Sequence, residues 1–274
     1  VLVFAPLVFA HRLLSFDRVM QAALAFVCLS ACASATYIIN DLLDLESDRH
    51  HPRKRRRPFA SGALSVVAGP PLAAGLLVGS FALAALTLPW AFIACLAAYF
   101  VLTLAYSLWL KRKMLVDVFL LAGLYTLRII AGGEATDIQP SEWLLAMSMF
   151  LFTSLALVKR YAELLPLADD NQHSAKGRGY LVSDLSLIES FGSASAYLSV
   201  LVLALYIHSD RAHSLYGSSK LLWFVCPLML YWTTRIWMQA KRRIMHDDPL
   251  LYAIKDHVSW IVAVTIAALM VLSL

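Results

Sequence analysis

The sequence predicts an all-α, polytopic membrane protein, a helix bundle of about nine transmembrane helices. Three observations carry this. The 274 residues are 60% hydrophobic and 15% charged, with a mean hydropathy of +0.70, outside the range of soluble globular domains. The apolar stretches reach about 20 residues, enough to cross a hydrocarbon core of about 30 Å. The basic residues collect in alternate connections, as the threading of a membrane chain requires.

In chain order, Val1 to Leu14 reads as the remainder of a first helix, and Val1 in place of Met predicts a chain cut from something longer. No cleavable signal peptide is evident, because no charged region precedes the opening apolar run. A second span runs from Val19 to Ile39. Pro70 and Pro71 start a third that ends near Leu88, and Pro89 separates it from a fourth at Trp90 to Leu110. Five more are expected at Leu115 to Gly133, Trp143 to Val158, Glu189 to His208, Leu221 to Gln239 and Val258 to Leu274. Trp90, Trp109, Trp143 and Trp260 fall near span ends, where an interfacial belt forms. Cys28, Cys32, Cys95 and Cys226 lie within apolar runs without metal or redox spacing and read as small packing residues. The whole chain, 1–274, reads as one domain.

Most basic residues follow the even-numbered spans: Arg49 and the run from Arg53 to Arg57, then Lys111 to Lys113, then Lys159, Arg160, Lys176 and Arg178, then Lys241 to Arg243 and Lys255. The opposite side holds Arg12, Arg18, Arg211 and Lys220. The crowded side is therefore expected in the cytoplasm. A net charge of +5 spread between spans suits anionic lipid or phosphate and not nucleic acid.

The most concentrated charge lies in NDLLDLESDRHHPRKRRRPFASG, Asn40 to Gly62. Asn40, Asp44 and Asp48 recur at four-residue steps, and Asp41 stands three residues before Asp44 and seven before Asp48. On a helix these groups share a face. Like charges so spaced repel, so the face is best tolerated around a cation, and an oxygen-only set suits Mg²⁺ with substrate phosphates completing its shell. Arg49, Lys54 and Arg57 follow at once and suit the far end of a diphosphate. The competing reading is a solvated juxtamembrane cluster serving topology and headgroups.

A second polar stretch, Lys159 to Ser190, lies on the same predicted side. Lys159 and Glu163 have the spacing of a helix pair. Arg178, Tyr180 and Asp184 read either as a second wall of the site, with Asp184 or Glu189 as ligand or base, or as a solvated loop in which Ser183 or Asp184 caps a helix. Within the spans, Arg128 requires a partner, because an unpaired arginine at membrane depth costs roughly 2.5 kcal/mol or more. Asp117, three turns earlier, shares its face and suggests a lined cavity; a structural pair with another carboxylate such as Glu134 is the alternative. Tyr106, Lys111 and Lys113 end the fourth span, as phosphate contacts or as topology signals. Asp247, Asp248 and Asp256 are expected to cap or order a loop, with Asp256 capping the last helix. His50 and His51 lack the spacing of a zinc site, and neither a Gly-rich phosphate loop nor a Ser-His-Asp arrangement is apparent.

On these residues the chain resembles the UbiA superfamily of intramembrane prenyltransferases. The likeness rests on NDxxDxxxD at Asn40 to Asp48, on PRKRRRPFASG from Pro52 to Gly62, and on the nine-helix layout. It implies that two carboxylate motifs bind Mg²⁺ and a prenyl diphosphate, and that an acceptor is alkylated between helices. The second motif departs from the usual DxxxDxxxD, offering only Asp184 and Glu189 after RGY. DRHHPRKRRRPFASG, YSLWLKRKMLVDV, LRIIAGG, KRYAEL and DPLLYAIKD are similar to the branch that contains decaprenyl-phosphate phosphoribosyltransferase.

That resemblance implies a Mg-dependent transferase moving a phosphoribosyl group from phosphoribosyl pyrophosphate to polyprenyl phosphate. Prenyl transfer to an aromatic or other small acceptor is the second reading, and a non-catalytic lipid-binding or transport protein the third. Asn40, Asp41, Asp44 and Asp48 are implied as metal ligands, with Asp44, Asp48, Tyr180 and Asp184 as catalytic residues. Arg49, Lys54, Arg57, Tyr106, Lys111, Asp117, Arg128, Lys159, Arg160, Glu163 and Arg178 are implied as substrate contacts. The expected setting is the cytoplasmic membrane of a bacterium, with the site on the cytoplasmic side. A homo-oligomer and a fused or separate soluble N-terminal domain are left open.

Overall fold

The computed structural model describes residues 1–50, 54–169, 179–217, 219–245 and 248–274. Among these the chain is all helical. The α-helices are α1 (Ala5–Phe9), α2 (Phe16–Leu43), α3 (Leu45–His50), α4 (Gly69–Thr87), α5 (Trp90–Leu108), α6 (Val116–Thr136), α7 (Glu142–Asp169), α8 (Leu185–Ile207), α9 (Asp210–Leu215), α10 (Ser219–Leu222), α11 (Val225–Lys241), α12 (Pro249–Lys255) and α13 (His257–Leu272). Two compact units emerge: Val1–Leu108 with Leu127–Pro140, and Trp109–Thr126 with Ser141–Leu274.

In the first unit α2 packs against α4 and α5. Its buried stripe is built of small residues, Ala22, Ala25, Cys28, Cys32 and Ala35, at three- and four-residue steps that keep one helical face in contact. Small side chains let backbones approach, and the Ser80 hydroxyl of α4 donates to the Cys28 carbonyl at 2.8 Å. Cys28 and Cys32 are fully buried there, as packing residues should be. Pro70 and Pro71 sit in the first turn of α4, where a missing N–H leaves no intrahelical bond unmade. Arg18 donates to the carbonyls of Thr136 and Asp137, closing the C-terminal end of α6.

In the second unit α7 and α8 form the most extensive helix pair, and α11 packs on both. Gly192 of α8 admits the Trp237 indole of α11, which a Cβ would overlap. The indole N–H donates to Ser154 of α7 at 3.0 Å, and Tyr161 meets the ring edge-on at 5.8 Å between centroids. One aromatic side chain therefore ties three helices together. Asp256 caps α13 through Ser259, accepting from its N–H and hydroxyl at 2.8 Å, which is the role its position suggested.

The expected nine spans are not met among the described residues. Six helical segments are long and apolar enough to cross a membrane: Phe16–Leu43, Val66–Thr87, Trp90–Leu108, Val116–Thr136, Glu142–Ala168 and Val182–Ile207. A seventh arises if α12 and α13, bent by 81°, count as one broken span. The expected first span is helical only from Leu2 to Phe9. The expected eighth becomes the 17-residue α11, about 25 Å long at 1.5 Å per residue, and it carries Thr233, Thr234, Arg235 and Gln239.

Candidate functional site

The acidic motif of the first unit keeps its helical register through a break. The ladder runs from the Asp44 N–H to the Asn40 carbonyl at 2.9 Å and from the Asp48 N–H to the Asp44 carbonyl at 2.8 Å, so α3 continues the turn of α2. Asp41 and Asp48, two turns apart, therefore point to the same place. There they meet one cation: Arg57 Nη1 lies 2.9 Å from Asp41 Oδ1 and 2.7 Å from Asp48 Oδ2. Asp48 is only 2% exposed, and this charge compensates its burial. Arg57 is carried on a turn anchored by buried Phe59 and closed by the Ser61 N–H on the Arg57 carbonyl at 2.8 Å. Gly62, at φ +80°, supplies the left-handed residue that ends this turn.

Arg57 thus sits on the acids themselves, where the sequence had placed it on a diphosphate. Asn40 and Asp44 are half-buried on the same helical stretch, and Arg49 and Lys54 are exposed. Among the described residues no three His, Cys, Asp or Glu side chains are gathered to hold a metal. Two carboxylates converging on one positive point still fit Mg²⁺, which takes one or two carboxylates and completes its shell with phosphate and water.

The second unit contains a different polar cluster. Asp117, in the first turn of α6, is fully buried; Arg160 of α7 is 1% exposed and Tyr180 2%. Tyr180 donates to Asp117 Oδ1 at 2.6 Å, and its oxygen accepts the Leu115 N–H at 2.9 Å. Arg160 Nε lies 2.9 Å from Asp117 Oδ2, an ion pair and not a linear hydrogen bond, and Nη1 reaches Glu163. Burial, then the hydrogen bond to Asp117 and its charge, push the Tyr180 phenol above the ordinary tyrosine range. It remains a proton donor across neutral pH. Leu115 is held at φ +65°, a left-handed conformation that costs a non-glycine residue roughly 1–2 kcal/mol.

Other expected contacts are redistributed. Lys159 pairs with Asp248 at 2.7 Å while Glu163 takes Arg160, so the expected four-residue pair gives way to a three-residue one. Asp184 accepts the Leu181 N–H at 2.8 Å, the capping role, and Glu189 pairs with Lys241 at 2.6 Å. Arg128 donates to the Tyr99 hydroxyl at 2.7 Å with its guanidinium 5.2 Å from the ring centre. The expected Asp117–Arg128 lining is thus replaced by separate partners. Tyr106 and Lys111 are half-buried and Lys113 is exposed. Arg178, His51 and Asp247 lie outside the described residues. Sequence reasoning missed Tyr99 as a partner and Arg235, which grips Asp256 at 2.6 and 3.0 Å; an arginine in an apolar helix signals that a partner exists, without saying which.

Long apolar helices, with buried ion pairs and an acid pair closed by a guanidinium, define an integral membrane protein of the all-helical class. The chain belongs to the UbiA prenyltransferase family, whose model matches residues 1–252. It is 38% identical over 276 residues to y4nM of Sinorhizobium fredii, covering 100% of this chain and 53% of that protein. It is 38% identical over 205 residues to decaprenyl-phosphate phosphoribosyltransferase of Mycolicibacterium smegmatis, covering 73% of this chain and 62% of that one. The chain thus spans a little over half the length of these relatives. A solved UbiA homolog from Archaeoglobus fulgidus bound to DMAPP and Mg²⁺ superposes with a TM-score of 0.67 at 15% identity, over 94% of this chain and 88% of that one. At that identity the likeness is one of fold.

Proposed function

We propose that the chain is a Mg²⁺-dependent transferase of the bacterial cytoplasmic membrane that moves a phosphoribosyl group from phosphoribosyl pyrophosphate to a polyprenyl phosphate. The observation that carries this reading is the convergence of Asp41 and Asp48 on one cationic point at 2.9 and 2.7 Å. The likeness to decaprenyl-phosphate phosphoribosyltransferase supports the choice of donor and acceptor. The charge pattern supports a site on the cytoplasmic side, where a soluble, strongly anionic donor arrives.

Asp41 and Asp48, with Asn40 and Asp44 beside them, would hold Mg²⁺, which supplies positive charge to the donor diphosphate. Arg49, Lys54 and Arg57 bind and orient the phosphates, and Arg57 moves from carboxylate to phosphate as charge arrives. A lipid phosphate oxygen forms the new bond to ribose C1 as the bond to pyrophosphate breaks, and the leaving group keeps the electron pair. An anionic acceptor needs little general base, consistent with Asp184 and Glu189 being engaged elsewhere. The match to the UbiA prenyltransferase family supports a second reading, prenyl transfer from a polyprenyl diphosphate to an aromatic or other small acceptor.

The test incubates purified chain in lipid nanodiscs with Mg²⁺, polyprenyl phosphate and labelled phosphoribosyl pyrophosphate. Lipid-extractable label is expected. Its absence, with product formed instead from polyprenyl diphosphate and an aromatic acceptor, replaces the first reading by the second.

A further inference from the structure

The connection between α5 and α6 is short, basic and held from several directions. Lys111, Arg112 and Lys113 lie in it, followed by Leu115 at φ +65°. A topology signal requires only charge near the membrane and no particular conformation. This connection nevertheless has one. The Lys113 N–H bonds the Leu110 carbonyl at 3.0 Å, and the Leu115 N–H bonds the Tyr180 hydroxyl at 2.9 Å. Gly179 comes so near that an added Cβ would stand 2.7 Å from the Arg112 carbonyl oxygen and 2.8 Å from the Met114 nitrogen.

Behind this contact, Tyr180 is held at 2.6 Å by Asp117, and Asp117 is held at 2.9 Å by Arg160. Asp117, Arg160 and Tyr180 are at most 2% exposed, so none is placed to meet a soluble donor in this arrangement. Burying an ion pair and holding the exposed Leu115 in a left-handed conformation cost stability that a freely moving loop would not require.

We propose that Asp117, Arg160 and Tyr180 are positioning residues that lock the Lys111–Lys113 connection into a phosphate-binding conformation, acting through Tyr180 on the Leu115 amide. This rests on the diphosphate-dependent reading above and assigns these buried groups a role other than substrate contact. The lysines and Arg112 present the charge; the clamp fixes where it stands. Preorganised cations bind a diphosphate more tightly than mobile ones, because less freedom is lost on binding.

The test uses the full chain in nanodiscs with Mg²⁺ and inorganic pyrophosphate as the probe. Tyr180→Phe should speed deuterium exchange across residues 109–116 and weaken pyrophosphate binding by roughly tenfold. In a Lys111→Met, Arg112→Met, Lys113→Met background the same substitution should change affinity by less than about twofold, because the groups it positions are gone. Gly179→Ala, which leaves the buried trio intact and pushes on the loop, should reproduce the loss and guards against a Tyr180 variant that fails to fold. Equal losses in both backgrounds, or unchanged exchange across 109–116, overturn the proposal alone. Wild-type chain that binds no pyrophosphate overturns this proposal together with the reading it rests on.

Discussion

Arg57 Nη1 and Asp48 Oδ2 lie 2.7 Å apart, with Asp41 on the same nitrogen at 2.9 Å, so a side chain serves as the counter-cation of the acid motif. A divalent ion must then compete with a tethered guanidinium. Arg57→Met should tighten Mg²⁺ binding measured without diphosphate, while lowering transferase turnover by about 100-fold, since the same guanidinium is proposed to serve the phosphates. Calorimetry and a turnover assay on one preparation check both signs.

Among the described residues Arg160 and Asp117 form the most deeply buried ion pair, at 1% and 0% exposure. Removing one charge strands the other, so Arg160→Met should destabilise the protein by about 3–5 kcal/mol. Arg160→Met with Asp117→Leu should recover part of that loss. Denaturant midpoints of the two variants decide it.

Tyr180 has its proton affinity raised by burial and by Asp117. The native state therefore holds this proton more tightly than the unfolded chain, and its contribution is complete below the unfolded tyrosine value of about 10 and lost as pH climbs past it. Stability measured from neutral to strongly alkaline pH should fall more steeply above about pH 10 in the wild type than in Tyr180→Phe.

Gly192 faces the Trp237 indole with no room for a Cβ. Gly192→Ala should force α8 and α11 apart and cost about 1–3 kcal/mol. Reducing the indole by a second substitution, Trp237→Leu, should relieve the strain in part, so the double variant should fall short of the summed losses in a thermal-shift assay.

Asp256 caps α13 and holds Arg235 through two oxygens. Asp256→Ala should lower stability by about 1–2 kcal/mol through the lost cap and the stranded arginine. Transferase turnover at saturating substrate should be unchanged.

Much of this was legible in advance, for reasons visible at particular residues. The expected span from Val19 to Ile39 is the core of Phe16–Leu43, and Trp90 to Leu110 differs from Trp90–Leu108 only at its end. Hydrocarbon admits few alternatives to an apolar helix, so such stretches declare themselves. The shared face of Asp41 and Asp48 followed from a helical period that survives the break at Asp44. The cap at Asp256 was likewise local. Lys159 shows the limit: its spacing to Glu163 suits a pair, yet Asp248, 89 residues away, takes it.

The sequence by itself determined the all-helical membrane class, six of the spans and the acid register, because each depends on neighbours within a few turns. Tertiary structure alone decided that Arg57 closes the acid pair, that Asp117 belongs to Arg160 and Tyr180, and that α12 and α13 break at 81°. Those outcomes turn on which groups the packing brings together and not on helical spacing. A charge in the sequence says that a partner is needed; the packing of the helices says which one it finds.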